Sequence, residues 1–283
     1  MTMMMERVEL SAGPVRYRDS GTGDPIVFVH GLLVDGQLWR DVASRLEADF
    51  RVIVPDWPLG SQQAPLAPGT DLSPPALADM VVEFLDALGL ERVTLVGNDT
   101  GGAVCQLVAT RHPERLARLV LTPCDAYEHF PPPAFKPLAV LGRSTAVLMG
   151  IAQGMRLRAM RRSPLAYGWL MRDFDDERCR AWVAPVRENP AIRAEVARIL
   201  AGMDPKYTLE AAAAFKDLQI PVLIAWAPED RFFKLANAER MAREIPNARL
   251  ERIEGSYTFV SVDQPARTAE LISAFAREPV AAA

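Results

Sequence analysis

Residues 93–103 read Val93-Thr94-Leu95-Val96-Gly97-Asn98-Asp99-Thr100-Gly101-Gly102-Ala103. An apolar run of strand length passes, without any linker, into Gly-x-Asp-x-Gly and then into a helical pattern over Thr100–Arg111. A strand that turns straight into a helix leaves no space for a Cβ on either side of the turn, which accounts for Gly97 and Gly101. The residue between them is forced into a strained conformation with its side chain thrown outward. Here that residue is Asp99. A plain helix N-cap would also favour aspartate, but it needs no glycine on both sides. The helix N-terminus beyond Asp99 offers free N–H groups and a positive dipole end, which are expected to keep the carboxylate ionised.

The rest of the chain repeats the same alternation. Apolar runs at Val15–Arg18, Pro25–Val29, Val52–Val54, Arg92–Val96, Leu119–Leu121, Val222–Trp226 and Leu250–Ile253 read as strands. Between them lie helical stretches from about Gln37 to Glu47, Pro75 to Leu88, Thr100 to Arg111 and Pro265 to Arg277. Pro75–Leu88 sets Leu77, Met80, Val81, Phe84, Leu85 and Leu88 at steps of three and four. This pattern predicts an α/β fold with a mostly parallel twisted sheet of about eight strands, flanked by helices. Between Asp125 and Asp217 strand candidates disappear, Pro131-Pro132-Pro133 breaks the chain, and arginine-rich helical segments follow. The expected organisation is a core over 1–124, an inserted helical cap over 125–217, and the rest of the core over 218–283. The cluster Arg156, Arg158, Arg161 and Arg162 inside the cap reads as a solvated helix face. Val280–Ala283 reads as a frayed tail.

From about Val15 to Phe275 the chain resembles the α/β-hydrolase superfamily. Its turn at Asp99 is similar to the haloalkane dehalogenase and epoxide hydrolase branch, where the middle residue is the catalytic nucleophile. His30-Gly31 after the strand Ile26–Val29 matches the superfamily's oxyanion loop. The resemblance implies an oxyanion hole from the Leu32 and Thr100 backbone N–H groups and a structural His30. Asp56-Trp57-Pro58-Leu59-Gly60-Ser61 is similar to the family's Asp-x-Pro-Gly turn, with one residue more before the glycine. Trp226-Ala227-Pro228-Glu229-Asp230 falls where the family carries its triad acid, with Asp230 in that position. Asp125, after the Leu119–Leu121 strand, falls at the alternative acid position.

The resemblance fails at the third member of the triad. The last loop reads Gly255-Ser256-Tyr257-Thr258-Phe259-Val260-Ser261-Val262-Asp263-Gln264-Pro265, and Thr258 stands where the family has histidine. The chain has 3 histidines. His30 and His112 read as structural, which leaves His129 as an alternative acid or base beside Asp125. In the resembled enzymes aspartate attacks an sp³ carbon and forms an ester, which histidine-activated water then hydrolyses. A threonine hydroxyl has no accessible basic form at neutral pH. Thr100 also stands where dehalogenases place a halide-binding tryptophan, and Leu32 where they tend to carry asparagine. Leu33 replaces the proline of the epoxide hydrolase loop. Tyr167 and Tyr207 are the cap tyrosines available to protonate an opening epoxide.

These departures define three expectations. The first is a hydrolase of a small or medium hydrophobic substrate with Asp99 as nucleophile, more like an epoxide hydrolase than a dehalogenase. The second uses Asp99 as a general base in a lyase, isomerase or cyclase. The third is a ligand-binding pseudo-hydrolase. A net charge of −4 gives no footprint for nucleic acid. Cys105, Cys124 and Cys179 are too few and too far apart for a disulfide framework or zinc site. The N-terminal residues lack the apolar core of a signal peptide, and no apolar run is long enough to span a bilayer. The expectation is a cytoplasmic protein with a small-molecule substrate, no cofactor, no metal, no nucleic acid and no membrane partner. Oligomeric state is left open.

Overall fold

The computed structural model describes residues 5–279. Its strands are β1 (Glu6–Leu10), β2 (Gly13–Ser20), β3 (Pro25–Val29), β4 (Arg51–Asp56), β5 (Val93–Asp99), β6 (Leu116–Cys124), β7 (Val222–Trp226) and β8 (Ala248–Arg252). They form one sheet in the order β1-β2-β4-β3-β5-β6-β7-β8. The β1–β2 and β2–β4 pairs are antiparallel, and every pair from β4 onward is parallel. Strands β3, β5, β6 and β7 are buried almost without interruption. That is the pattern expected where helices cover both faces of a parallel sheet.

The first half contributes helices α1 (Arg40–Leu46), α2 (Pro74–Ala87) and α3 (Thr100–Arg111). In α2, Ser73 caps the N-terminus, and Pro74 and Pro75 sit in the first turn, where no N–H is needed. Its buried stripe includes Leu77, Met80, Val81, Phe84 and Leu85, each worth roughly 1.5–3 kcal/mol relative to exposure. The expected helix over Gln37–Glu47 is split, with a 3₁₀ turn at Gly36–Trp39 leading into α1.

From Pro133 to Asp217 every regular element is helical. These are α4 (Lys136–Leu141), α5 (Thr145–Gly154), α6 (Arg158–Arg161), α7 (Asp176–Glu188), α8 (Pro190–Gly202) and α9 (Pro205–Ala214), with short 3₁₀ turns between them. The chain returns to the sheet through β7 and closes with α10 (Leu235–Glu244), α11 (Val260–Asp263) and α12 (Pro265–Ala276). The expected tail at Val280–Ala283 lies outside the described residues.

Side chains pin the helical segment to the loops that follow β3 and β4. The Tyr167 hydroxyl donates to the Leu33 carbonyl at 2.6 Å, and the Trp182 indole N–H to Asp35 at 2.8 Å. Gln62 donates to Glu195 at 2.7 Å, and Ser61 to the Trp182 carbonyl at 2.7 Å. The Phe259 N–H donates to the Leu170 carbonyl at 2.8 Å, joining the last loop to the same segment. These bonds seat the helices above the C-terminal ends of the strands, where open α/β sheets bind ligands.

Candidate active site

Asp99 ends β5 with φ 54° and ψ −132°, outside the regions that ordinary side chains occupy. Its carboxylate makes no helix-cap hydrogen bond, so the residue is not a plain N-cap. The pairing of β5 with β6 shifts between Gly97 and Asp99, which re-aims the end of the strand. The neighbouring glycines are needed for close packing. A Cβ on Gly97 would meet Gly102 and the Cys105 sulfur, and one on Gly101 would strike the Val29 and His30 carbonyls. A Cβ on Gly31 would fall on the Asp99 carboxyl itself. Gly31 is therefore what allows the carboxyl to lie against the loop after β3.

That loop has a fixed shape. Leu33 adopts φ 57°, and its N–H donates to the Leu59 carbonyl at 2.8 Å. The Leu32 N–H, one residue earlier, donates to no protein acceptor among the described residues. The Thr100 N–H lies against the Asp99 carboxyl. The two N–H groups expected for an oxyanion hole thus belong to the two segments that touch Asp99.

Three carboxyls come together here. Asp125, just past β6, donates its N–H to the Asp99 carbonyl at 3.4 Å and is buried beside the Thr100 hydroxyl. Asp230, just past β7, accepts at Oδ1 from the N–H groups of Phe232 (2.6 Å) and Phe233 (2.7 Å). Its Oδ2 has no hydrogen-bond partner, and neither do Asp125 Oδ1 and the Thr258 hydroxyl. Thr258 is buried next to Asp230. Its carbonyl accepts from the Asn98 amide at 2.9 Å, which brings the last loop to the residue before Asp99. Asp99, Thr100, Leu32, Asp125, Asp230 and Thr258 therefore share one neighbourhood.

His129 is not part of it. Its ring meets the Asn237 amide on α10 at 3.2 Å and the Glu128 carboxylate at 3.9 Å. His30 is close by but has no free lone pair. Its Nε2 accepts from the Trp57 N–H at 2.8 Å, so the proton resides on Nδ1, 2.9 Å from the Gly31 carbonyl. Burial pushes its pKa down to about 4, which keeps the ring neutral. His112 pairs with Asp79 at 3.1 Å on the protein surface.

With no cation present, burial sets the acidity of the site. Asp99 is half-buried, yet the packing around its carboxyl removes enough water to raise its pKa to about 7. The Thr100 N–H opposes that rise, and the charge of Asp230 adds to it. Asp230 is raised to about 6, again by burial, against the pull of the Phe233 and Phe232 N–H groups. Asp125 is pushed well above the ordinary carboxylate range by burial and by Asp99. The expectation that the helix dipole keeps Asp99 ionised is corrected here. One N–H at the helix end does not offset the lost hydration together with the charge of Asp230.

Of the two cap tyrosines, Tyr167 has its hydroxyl proton engaged. Tyr167 is buried and its hydroxyl is spent on the Leu33 carbonyl. Tyr207 sits in the first turn of α9 with Lys206 over its ring. No group of three or more His, Cys, Asp or Glu among the described residues is placed to hold a metal ion. A cleft of about 630 Å³ lies at the other end of the sheet between Asp24, Phe50, Arg92, Arg118 and Arg277. It is remote from the carboxyl cluster and has no part in its chemistry. Sequence reasoning missed Asn98 and the contact of Gly31 with Asp99. The only signal for the second was the glycine after His30.

A profile described as the alpha/beta hydrolase fold matches residues 24–265. The chain belongs to the alpha/beta hydrolase family. It is 27% identical to "Haloalkane dehalogenase 2" of Mycobacterium tuberculosis, with 93% of this chain and 91% of that protein covered. It is 29% identical to a "Cis-3-alkyl-4-alkyloxetan-2-one decarboxylase" of Shewanella oneidensis, covering 83% of this chain and 76% of that one. Among solved structures, an alpha/beta hydrolase fold protein from Burkholderia ambifaria superposes with a TM-score of 0.80 at 24% identity. That match covers 98% of this chain and all of the other.

Proposed function

We propose that this alpha/beta hydrolase family member is an enzyme that uses Asp99 as a general base on a small or medium hydrophobic substrate. It would catalyse an isomerisation, cyclisation or elimination rather than a hydrolysis. The observation that carries this reading is the cluster itself: Asp99 lies with Asp125 and Asp230, the nearby His30 is held by the Trp57 N–H, and burial pushes Asp99 up to about 7. A base is most effective when its pKa lies near the working pH, and single proton transfer needs no activated water. Asp99 would take a proton from a carbon next to a carbonyl. The oxygen of the resulting enolate would be held by the Leu32 and Thr100 N–H groups. The proton then returns to another carbon, or a leaving group departs from the enolate. A relative whose printed name is a decarboxylase indicates that this family's chemistry is not confined to hydrolysis.

The nucleophile reading remains as the second, favoured by the strained backbone of Asp99 and its place between two glycines. It needs a base for its second step. Deuterium incorporation separates the two readings. Small hydrophobic carbonyl compounds incubated with the enzyme in heavy water should exchange their acidic C–H, and Asp99→Asn should abolish the exchange. Absence of exchange across such a panel, together with a covalent ester on the Asp99 peptide after exposure to alkyl halides or epoxides, would overturn the base reading.

A further inference from the structure

The first part of the helical segment, through α4, α5 and α6, has charge of one sign. No Asp or Glu occurs between Glu128 and Asp173. Within that stretch Lys136, Arg143, Arg156, Arg158 and Arg162 are exposed, and none has a carboxylate within salt-bridge distance among the described residues. Two arginines of the stretch are exceptions: Arg161 is buried against Asp176, and Arg172 is exposed but pairs with Glu229 at 3.2 Å. Interleaved with the cations are Val140, Leu141, Leu157, Met160, Leu165 and Trp169, with Leu157 exposed at 64% and Leu165 at 62%. Helices α4 and α5 pack inward on α8, and α5 and α6 on α7. One layer therefore underlies all three helices, and their outward sides share a single surface.

A water-facing surface has no use for this many large apolar side chains in one place. We propose that this face docks on an anionic lipid bilayer. Its leucines, valine, methionine and Trp169 enter the boundary between headgroups and acyl chains, while the arginines and Lys136 meet lipid phosphates. Charge selects this occupant. The protein as a whole carries −4, so the positive field belongs to this patch and is not a general property. A second copy of the chain would set like charges against each other. A nucleic acid would pair the cations but leave the apolar side chains in water. The expectation of no membrane partner rested on the lack of a spanning segment, and no helix among the described residues is long and apolar enough to cross. Lying in the interface requires none. This inference is independent of the chemistry at Asp99.

Co-sedimentation of the full chain with vesicles tests it. The protein should pellet with phosphatidylcholine vesicles that contain phosphatidylserine, release as salt is raised, and ignore vesicles of phosphatidylcholine alone. Each exposed arginine removed should weaken partitioning roughly fivefold, so Arg156→Ala with Arg158→Ala should lower it on the order of twentyfold. Leu157→Ser should also weaken binding, whereas Leu209→Ser, an exposed apolar residue on α9 outside the cationic stretch, should not. All of these side chains are exposed, so unchanged thermal melts are expected to confirm folding. Failure to pellet with anionic vesicles at low salt, or equal pelleting with neutral ones, would overturn the proposal. So would vesicle-free self-association that Leu157→Ser abolishes, since it would assign the face to a second copy.

Discussion

The Asn98 side-chain amide donates to the Thr258 carbonyl at 2.9 Å, across 160 residues of sequence. The same nitrogen reaches the Thr122 hydroxyl at 2.9 Å and the Pro123 carbonyl at 3.0 Å. A single buried side chain, adjacent to Asp99, thus gathers the end of β6 and the last loop around the carboxyl cluster. The loop's position is set through the Thr258 backbone, whichever side chain stands at that position.

Asn98→Leu should therefore loosen the site and destabilise the fold. The substitution strands the Thr258 and Pro123 carbonyls in a buried setting, at about 1–3 kcal/mol for an orphaned group. Chemical denaturation should show a loss of roughly that size. Exchange of the last-loop amides should accelerate more than exchange of the β3 amides, because only the former depend on this tie.

Gly31→Ala should act on Asp99 more than on stability. The added methyl falls on the Asp99 carboxyl, so either the side chain turns away or the loop after β3 retreats. Both outcomes part the carboxyl from the Leu32 N–H. Activity should fall on the order of a hundredfold, the scale of losing one oxyanion donor. The loss should appear in kcat, with KM little changed.

The strands that read most clearly from the sequence are those with both faces buried. The observed bounds of β3 and β7 coincide with apolar runs, and α3 occupies its expected range, because continuous burial leaves a continuous signal. By contrast β1 was missed: Glu6, Arg7 and Glu9 dilute the pattern at an exposed sheet edge. In the site, the two glycines around Asp99 announced the turn, and the last loop around Thr258 was seen to hold no histidine. The acidity did not show in the sequence, because it depends on how much water the folded chain strips from three carboxyls. Nor did the fate of the Tyr167 proton, which is decided by a carbonyl 134 positions away.

The raised acidity of Asp99 has a consequence for stability. Unfolded, the carboxyl titrates near 3.8, and in the folded protein it is pushed up to about 7. Between those values the folded state holds the extra proton, so rising pH removes stability through this group. Asp99→Asn escapes that loss. Its stability should match the wild type below about pH 4 and exceed it progressively up to about pH 7. The gain is bounded at about 4 kcal/mol, taking about 1.4 kcal/mol per unit. Taking the difference between the two proteins cancels His30, which runs the other way. Its pKa is depressed to about 4, so it costs stability as pH falls below its unfolded value of 6.5. A stability difference that is flat across this range would show that Asp99 is not perturbed.

Thr258→His is the sharpest test of whether Asp99 can act as a nucleophile. Thr258 is buried beside Asp230, whose Oδ2 lacks a partner, so an imidazole placed there has a carboxylate ready to orient it. If Asp99 attacks a small alkyl halide or epoxide, the wild type should accumulate the ester, because a threonine hydroxyl cannot activate water. Intact mass should then rise by the alkyl group, with the change mapped to the peptide holding Asp99 and absent in Asp99→Asn. Restoring histidine should shorten the ester's lifetime on the order of a hundredfold, the lower range of general-base catalysis. The larger ring should also cost about 1–3 kcal/mol through overpacking, so a melting curve must accompany the kinetics. His129→Ala should change nothing, since that ring is held by Asn237 away from the cluster. If no ester forms in either the wild type or a folded Thr258→His, nucleophilic attack on these electrophiles is excluded, which leaves proton transfer by Asp99 or ligand binding without turnover.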